Sequence, residues 1–307
     1  MERKKLWFLF NPTSGRGQIR VHLVDILDTF VKAGYEVTVY PTQEKEDITR
    51  LLPHHAGEYD RIVVSGGDGT LNEAVTGMMH CDARVPLGYI PAGTTNDFAK
   101  SLRIPASMPK AAEIAANGIY FACDVGEFNE ERFIYIAAFG AFTDVSYMTN
   151  QKLKQVLGPA AYLLEGAKRL VDIPSYFMRV EVNGEIIRDY FSYGMITNTI
   201  SVGGAKNMTG TDVNLDDGLF EVTLVRTPQN PIQTSEIMAN LLMPRDSDTP
   251  HIYSCKTDHI EIHCEEAVPW TLDGEFGGDQ KDVRIINHRG RITFVVGRQE
   301  IAELSES

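Results

Sequence analysis

The stretch Ser65–Glu73, which reads Ser-Gly-Gly-Asp-Gly-Thr-Leu-Asn-Glu, constrains this chain more than any other segment. The apolar run before it, Arg61–Val64, predicts a short buried strand, and apolar residues recur after it at helical spacing. A strand, a glycine-rich turn and a helix start together direct backbone N–H groups at an anion. The stretch lacks the G-x-x-x-x-G-K-[ST] pattern of P-loop proteins, and Asp68 places a carboxylate in the turn. We therefore predict a nucleotide-phosphate site in which a divalent cation bridges Asp68 and the phosphates.

Composition limits the class of protein further. The chain has 307 residues, of which 43% are hydrophobic and 23% charged, as in a globular protein with one large or two ordinary domains. Its net charge of −13 argues against general nucleic-acid binding, which needs a basic surface. The longest apolar run, Ile134–Phe142, is too short to cross a bilayer, and Leu6–Phe10 is too short for the core of a signal peptide. The cysteines show no C-x-x-C spacing, so we expect neither a zinc site nor a disulfide framework, and we expect a cytoplasmic location.

The first part of the sequence, up to about residue 125, alternates short apolar runs with helical patterns. This alternation predicts a parallel β-sheet that is covered by helices on both faces. Ligands of such sheets bind at the carboxyl ends of the strands, where the glycine-rich turns of this sequence fall. The predicted strands are Leu6–Phe10, Tyr35–Tyr40, Arg61–Ser65, Pro86–Ile90 and Ile119–Val125, and the predicted helices are Gln18–Ala33, Asp47–Leu52, Thr70–Met79 and Pro109–Asn117.

From Arg132 onward the pattern is mainly that of β-strands. The dipeptides Asn183-Gly184, Asp217-Gly218 and Asp273-Gly274 separate the apolar runs and are typical of hairpin turns. The exception is Pro159–Val171, where one apolar face at helical spacing predicts a helix. We expect a second domain, a β-sandwich or barrel with this one prominent helix. Its predicted strands include Met178–Val182, Leu219–Arg226, Ile260–His263 and Ile292–Val296.

Two further turns resemble the first one in composition and in place. Pro91–Phe98 follows a predicted strand and precedes a helix, and Asn11–Gly17 follows the first strand. Taken alone, Thr95 or Asn96 caps a helix and Asp97 favours its dipole. Because the carboxyl ends of neighbouring parallel strands meet at one edge, we expect the three turns to line a single site.

These motifs together resemble the diacylglycerol kinase catalytic-domain family of bacterial lipid kinases, which also includes sphingosine and ceramide kinases. Gly-Gly-Asp-Gly alone also occurs in NAD kinases and phosphofructokinases, but its combination with Gly-Thr-x-Asn-Asp-Phe is specific. The matching segments run in family order along nearly the whole chain. They are Asn11-Pro12 with Ser14-Gly15, Gly66–Thr70 with Asn72-Glu73, Pro91–Phe98, Asp124-x-Gly126, Leu215–Gly218 and Leu272–Glu275.

The resemblance implies an α/β plus all-β fold of the NAD kinase-like, two-domain type. An N-terminal α/β nucleotide-binding domain would cover residues 1–127, with the C-terminal segment 297–307 packing back onto it. A C-terminal β-sandwich lipid-binding domain would cover residues 128–296. ATP would sit in the cleft, and homodimers are common among relatives of this type.

The resemblance also assigns roles to individual residues. Asp68, Asp97 and Asp124 would organise Mg²⁺ and water around the phosphates. The alternative for Asp124 is that it simply ends a strand. Glu275 would be the general base, and Asp217 would hold a second, structural Mg²⁺ with help from Asn214 and Leu219. Glu275 follows a tight turn that suits such a base, yet an exposed hairpin glutamate is the ordinary explanation for Asp-Gly-Glu. The residues expected to contact ATP are Asn11, Thr42, Gly66, Gly67, Asp68, Gly69, Thr70, Leu71, Asn72 and Thr94.

The implied reaction is transfer of the γ-phosphate of ATP to the hydroxyl of a membrane lipid. Diacylglycerol, which would give phosphatidic acid, is the first expectation because Lys152–Pro174 resembles bacterial diacylglycerol kinases. The segment Ser201–Gly210 departs from the family pattern, so phosphatidylglycerol, a ceramide- or sphingosine-like lipid and an undecaprenol-type alcohol stay open.

Other readings of the motifs predict different functions. A soluble NAD kinase shares the fold, a nucleotide-sensing module would lack the catalytic step, and a Rossmann oxidoreductase would need a third glycine after Gly67 and Gly69. For the lipid-kinase reading, basic residues around Leu153–Leu170 predict transient, salt-sensitive contact with the inner face of an anionic membrane.

Overall fold

The computed structural model describes residues 3–140, 174–199, 201–202, 205–206, 213–242 and 249–298. The chain forms two compact units. The first consists of residues 1–125, 214–217 and 288–307, and the second of residues 126–213 and 218–287. The chain thus returns to the first unit at His288, ahead of the expected segment 297–307, because one long strand, β15 (Glu275–Val296), runs from the second unit into the first without a break.

The first unit alternates strands and helices as the sequence predicts. Two short 3₁₀ helices, Ser14–Gly17 and Ala56–Glu58, lie within it. The strands are β1 (Lys4–Phe10), β2 (Tyr35–Pro41), β3 (Arg61–Gly66), β4 (Leu87–Pro91) and the first part of β5 (Ile119–Phe128), and the helices are α1 (Ile19–Lys32), α2 (Asp47–His55), α3 (Asp68–Met79), α4 (Asp97–Ser101) and α5 (Met108–Asn117).

The sheet of the first unit is parallel, in the order β2-β1-β3-β4, and the end of β15 lies beside β4. β3 and β4 are buried along their whole length, as expected for strands covered on both faces. Phe10 pairs with Pro41 and with Ser65, and Gly66 pairs with Pro91. The carboxyl ends of the four strands therefore meet along one edge, which confirms the predicted placement of the turns.

Arg61 joins the opposite edge of this sheet to the end of α5. Its Nη1 donates to the carbonyls of Ala115 and Ala116, at 2.7 Å each, and its side chain is 4% exposed. The guanidinium lies 5.5 Å from the ring centres of both Tyr35 and Tyr120. A cation at the C-terminus of a helix satisfies carbonyls that have no partner within the helix and also favours the helix dipole.

Arg61→Met is therefore expected to lower the free energy of unfolding by about 1.5–3 kcal/mol, because the last carbonyls of α5 lose a charged donor. Methionine keeps the apolar stem, so the loss reports mainly on the hydrogen bonds. Urea unfolding measures the change. Arg20→Met, at an exposed position on α1, is the matched control and should change stability by less than about 0.5 kcal/mol. Equal losses in the two variants would contradict this explanation.

The second unit is built from antiparallel strands around one core. β7 and β8 each pair with both β9 and β14, so these four strands form a closed ring of pairings, and β12 and β13 extend the sheet from β9. The ring of Trp270 packs against those of Phe128 and Phe139, at 5.0 and 4.8 Å. The elements that begin in this unit are β6 (Glu131–Phe133), β7 (Ile136–Gly140), β8 (Tyr176–Val182), β9 (Glu185–Thr197), β10 (Ser201–Val202), β11 (Ala205–Lys206), β12 (Phe220–Arg226), α6 (Pro231–Leu242), β13 (Ile252–Thr257), β14 (His259–Leu272) and β15.

Two expectations for this part of the sequence are corrected. Asp217-Gly218 bends the chain but makes no tight hairpin, because residues 213–216, the described segment just before it, are not in a strand and the carbonyl of Leu215 instead accepts the N–H of Asp124. Helix α6 was not expected, although Thr234, Ile237 and Leu241 are buried at helical spacing after Pro231. The predicted helix Pro159–Val171 and the basic surface around Leu153–Leu170 lie outside the described residues.

Across the described ranges, no helix combines the length and the apolar character that a membrane span needs.

Candidate active site

The turns at the carboxyl ends of β1, β2, β3 and β4 are tied to one another through their backbones. The N–H of Asn11 donates to the carbonyl of Ser65 at 2.9 Å, and the N–H of Ala92 donates to that of Gly66 at 2.8 Å. The N–H of Thr42 donates to the carbonyl of Phe10 at 2.9 Å. The predicted three turns therefore lie together, and the segment after β2 joins them.

Glycine is required where these turns approach most closely. A Cβ on Gly93 would lie 2.6 Å from the Cα of Gly67, so the turns after β3 and β4 touch backbone to backbone. Gly15 has a φ of +55°, and a Cβ there would overlap the carbonyl oxygen of Ala92. The glycines thus permit a packing of bare backbone that leaves N–H groups close to one another.

Tyr89 and Asn96 hold the turns after β3 and β4 in place. The Tyr89 hydroxyl donates to the carbonyl of Gly66 at 3.0 Å and lies 3.4 Å from Oδ1 of Asn96. Asn96 accepts the N–H of Gly93 on Oδ1, at 2.9 Å, and its Nδ2 donates to the carbonyl of Gly93 at 2.8 Å. Burial, with a smaller contribution from the nearby Asp68, raises the pKa of Tyr89 well above its usual range, so its phenol stays neutral.

Helix α3 begins inside the turn after β3 and presents its N-terminus there. Gly67 precedes the helix, and the first residues of a helix have N–H groups without partners inside it. The N–H of Leu71 is already used, because it donates to the carbonyl of Gly67 at 3.1 Å, and the Leu71 side chain is fully buried in the core. The N-terminus from Gly67 to Thr70 therefore carries the anion-binding geometry.

Two carboxylates and one ammonium group lie at this helix start. Burial raises the pKa of Asp68, and the negative charge of Asp97 raises it further, whereas the N–H groups of Phe98 and Asn96 and the charge of Lys100 lower it. The Asp97 side chain is 3% exposed and forms an ion pair with Lys100, whose Nζ lies 2.8 Å from Oδ1. The structure therefore brings Asp68 and Asp97 together, as the sequence predicts.

Asp68 fits a divalent cation that phosphates also bind. Its Oδ1 is buried and has no hydrogen-bond partner among the residues that the structure describes. Within the described ranges, no three His, Cys, Asp or Glu side chains lie close enough together to hold a metal by themselves. Mg²⁺ does not need such a set, because it is usually held by one or two carboxylates together with waters and substrate phosphates. The chemistry of this carboxylate suits a magnesium ion shared with a phosphate-bearing substrate.

The remaining residues expected to contact ATP lie in or beside these turns. Oδ1 of Asn11 accepts the N–H and the hydroxyl of Thr13, at 2.9 and 2.8 Å, which shapes the turn after β1. Thr94 is exposed, Thr42 and Asn72 are half-buried, and Thr70 is almost fully buried beneath the turn.

Asp124 lies in β5 of the first unit, where it is fully buried. Its Oδ1 accepts the N–H of Gly290 at 2.7 Å, and its own N–H donates to the carbonyl of Leu215 at 2.9 Å. Asp124 therefore connects three chain segments of this unit, which is a structural role. This role is independent of any role in metal binding.

The residues expected around a second Mg²⁺ are divided between the two units. Asn214 and Asp217 belong to the first, where Oδ1 of Asn214 accepts the N–H of Asp216 at 3.3 Å. Leu219 belongs to the second unit, just before β12. The oxygen of Asn214 thus helps to shape the turn before Gly218.

Glu275 is the first residue of β15 in the second unit, and its side chain is exposed. It follows the turn formed by Asp273 and Gly274, and it pairs with Leu272 across that turn. An exposed carboxylate at the tip of a tight turn is accessible to a substrate hydroxyl.

Sequence reasoning missed supporting residues whose roles depend on tertiary contacts. Tyr89 and Lys100 are examples, and Lys100 could have been found from its spacing of three residues after Asp97 on a helix. Glu73 accepts the N–H groups of Glu46 and Ile48 at the start of α2. It thereby ties α3 to the start of α2.

Comparison with known proteins identifies the family from sequence. Residues 5–128 match the family model described as the diacylglycerol kinase catalytic domain. A diacylglycerol kinase of Bacillus subtilis is 35% identical over 277 residues, which cover 90% of this chain and 91% of the relative. One of Staphylococcus carnosus is 34% identical over 280 residues, 90% of each protein.

Solved structures agree on the fold. The crystal structure of a diacylglycerol kinase from Bacillus anthracis matches with a TM-score of 0.76 at 23% identity. The match covers 97% of this chain and 99% of the Bacillus anthracis chain. An NAD kinase from Archaeoglobus fulgidus, solved in complex with ATP, has a TM-score of 0.51 at 14% identity and covers 98% and 97%. The predicted NAD kinase-like fold, with an α/β part and a β-rich part, is thereby confirmed. By the extent of its similarity to these relatives, the chain belongs to the diacylglycerol kinase family.

Proposed function

We propose that this protein is an ATP-dependent lipid kinase that transfers the γ-phosphate of ATP to the hydroxyl of a membrane lipid. The observation that carries the proposal is the convergence of glycine turns at the start of α3, with the buried, unsatisfied carboxylate oxygen of Asp68 among them. Backbone N–H groups alone would suit any anion, but the added carboxylate suits phosphates that carry a divalent cation.

ATP binds, in this proposal, along the carboxyl edge of the parallel sheet. The N-terminus of α3, from Gly67 to Thr70, faces the phosphates, and Asn11, Thr42, Asn72 and Thr94 line the surrounding turns. Leu71 supports this surface from the core. The ATP complex of the Archaeoglobus NAD kinase belongs to a protein of the same fold and supports this choice of nucleotide. Asp68, Asp97 and Asp124 would organise Mg²⁺ and its bound waters around the phosphates, and the cation would neutralise phosphate charge.

Glu275 serves as the general base in the second unit. Phosphoryl transfer leaves the protein little covalent work beyond positioning, charge stabilisation and removal of the proton from the attacking hydroxyl. Glu275 accepts that proton, and its exposed position at the end of a tight turn supports this role.

Diacylglycerol is the acceptor that we propose, and the product is then phosphatidic acid. The names of the relatives that match 90% of the chain support this choice. The enzyme would reach its lipid by transient contact with the membrane surface. Phosphatidylglycerol and ceramide- or sphingosine-like lipids are the other acceptors that the family resemblance allows.

Transfer of labelled phosphate from γ-labelled ATP to a panel of acceptors tests the proposal. The panel contains diacylglycerol, phosphatidylglycerol, ceramide, an undecaprenol-type alcohol and NAD, with lipids presented in mixed micelles. We expect labelled phosphatidic acid as the main product and none from NAD. If another lipid is labelled instead, that lipid is the acceptor, and the protein is still a lipid kinase. Labelling of NAD alone, or of no acceptor, would contradict the proposed function.

A further inference from the structure

The turn that carries Glu275 is tied down more firmly than a hairpin requires. Asp273 and Gly274 have φ angles of +51° and +85° and join Leu272 directly to Glu275. An aspartate in such a turn needs only to tolerate a left-handed backbone, and its side chain is usually solvated. Here Asp273 is 7% exposed.

The Asp273 carboxylate accepts N–H groups from a distant part of the same unit. Oδ2 accepts the N–H of Ile134 at 2.8 Å, and Oδ1 accepts those of Tyr135 and Ile136 at 3.0 and 3.1 Å. The backbone repeats the connection, because the Asp273 N–H donates to the carbonyl of Ile136 and the Tyr135 hydroxyl donates to the carbonyl of Asp273, at 2.9 and 3.0 Å. Hydrogen bonds to an ionised acceptor are stronger than neutral ones, so this set fixes the turn.

A second turn in the same unit shows what the geometry alone requires. Asn183 and Gly184 have φ angles of +51° and +79° and join β8 to β9 in the same two-residue form. Asn183 is exposed, and its side chain donates once, to the carbonyl of Lys256 at 2.9 Å. The burial and the additional bonds of Asp273 are therefore not a consequence of the turn type.

We infer that Asp273 is a positioning residue that holds Glu275 in place for proton transfer. This inference rests on the proposed function, in which Glu275 is the general base. Because the Glu275 side chain is exposed, packing does little to fix its location, and the backbone of the preceding turn decides where its carboxylate points. A displacement of about 1 Å in such a group can cost about 10²-fold in rate.

Asp273→Asn tests the inference with little change of shape. Asparagine tolerates positive φ, and it keeps one acceptor oxygen but turns an NH₂ group toward N–H donors. We expect kcat to fall by about 10–100-fold, while the affinity for ATP, which binds to the first unit in the proposal, stays unchanged. Asn183→Asp at the matching turn is the control and should change neither quantity.

A double-mutant cycle separates positioning from a general structural role. In a Glu275→Gln background the base is already lost, so adding Asp273→Asn should lower the residual kcat little further. A purely structural role would lower kcat by the same factor in both backgrounds, and that result would overturn the inference. A folded Asp273→Asn variant with parental kcat would overturn it as well.

The same experiment distinguishes failure of the inference from failure of the proposed function. Near-normal turnover of Glu275→Gln would show that Glu275 is not the general base, and the inference about Asp273 would fail with that assignment. If Glu275→Gln is inactive and Asp273→Asn is fully active, only the positioning role of Asp273 is rejected, and Glu275 is still the proposed base. Should Asp273→Asn fail to fold, Tyr135→Phe decides, because it removes only the hydroxyl that donates to Asp273. It should then lower kcat in the parent but not in the Glu275→Gln background, and an unchanged kcat in the parent would reject the inference.

Discussion

Glu275→Gln is expected to lower kcat for phosphate transfer to the lipid by about 10²–10⁴-fold, the usual range for loss of a general base. The amide keeps the size of the side chain and the start of β15, but it cannot accept the proton of the attacking hydroxyl. Nucleotide affinity should be unchanged, because the proposed ATP contacts belong to the first unit. Single-turnover transfer of labelled phosphate measures the first quantity, and equilibrium binding of an ATP analogue measures the second.

Glu265→Gln is the matched control for this experiment. Glu265 is an exposed carboxylate of the same unit on β14, so the variant loses the same charge without touching the turn. Its kcat should stay within a factor of about two of the parent, since exposed substitutions away from special features have small effects. If Glu275→Gln behaves like Glu265→Gln, then Glu275 is not the base.

The first unit could be predicted closely because its signals are local. Each strand is a short apolar run, each helix repeats its apolar residues at helical spacing, and glycines mark the strand ends. Parallel strands place those ends along one edge, so the approach of Gly67 to Gly93 follows from topology. Pairing across a sheet thus turns a local pattern into a predicted site.

The features that could not be predicted from the sequence depend on contacts between residues far apart in the chain. The Asp273-Gly274 dipeptide indicates a turn, but nothing in it reveals that the carboxylate accepts N–H groups from Ile134–Ile136. Asp217-Gly218 carries the same turn signal, and there a bond from Asp124 to Leu215 replaces the expected hairpin. Turn chemistry therefore predicts the backbone of one or two residues, and tertiary hydrogen bonds decide what that turn connects.

Asp68→Asn is expected to lower kcat/KM for magnesium-dependent ATP use by at least about 10–100-fold, the range found when groups that support a bound metal are changed. The buried Oδ1 of Asp68 is the oxygen proposed to act on the cation, and an uncharged amide supports it poorly. Raising the Mg²⁺ concentration should recover part of the activity. Asp25→Asn, on the exposed surface of α1, is the control and should leave the Mg²⁺ dependence unchanged.

Asp68→Asn should also stabilise the fold near neutral pH. In the native protein the charged Asp68 carboxylate is buried and lies near the negative charge of Asp97, and both effects disfavour its ionised form. Burial and the charge of Asp97 raise its pKa above the ordinary value of 3.8, so the native state binds the proton more tightly than the unfolded chain does. The parent therefore gains stability from this group as the pH falls through the raised pKa toward 3.8, and it lacks that gain at higher pH. Urea unfolding should show Asp68→Asn to be more stable than the parent near neutral pH, with the difference shrinking on acidification. Stability gained together with activity lost is the expected sign of a charge retained for function. A variant that is less stable than the parent near neutral pH would indicate instead that Asp68 serves the fold.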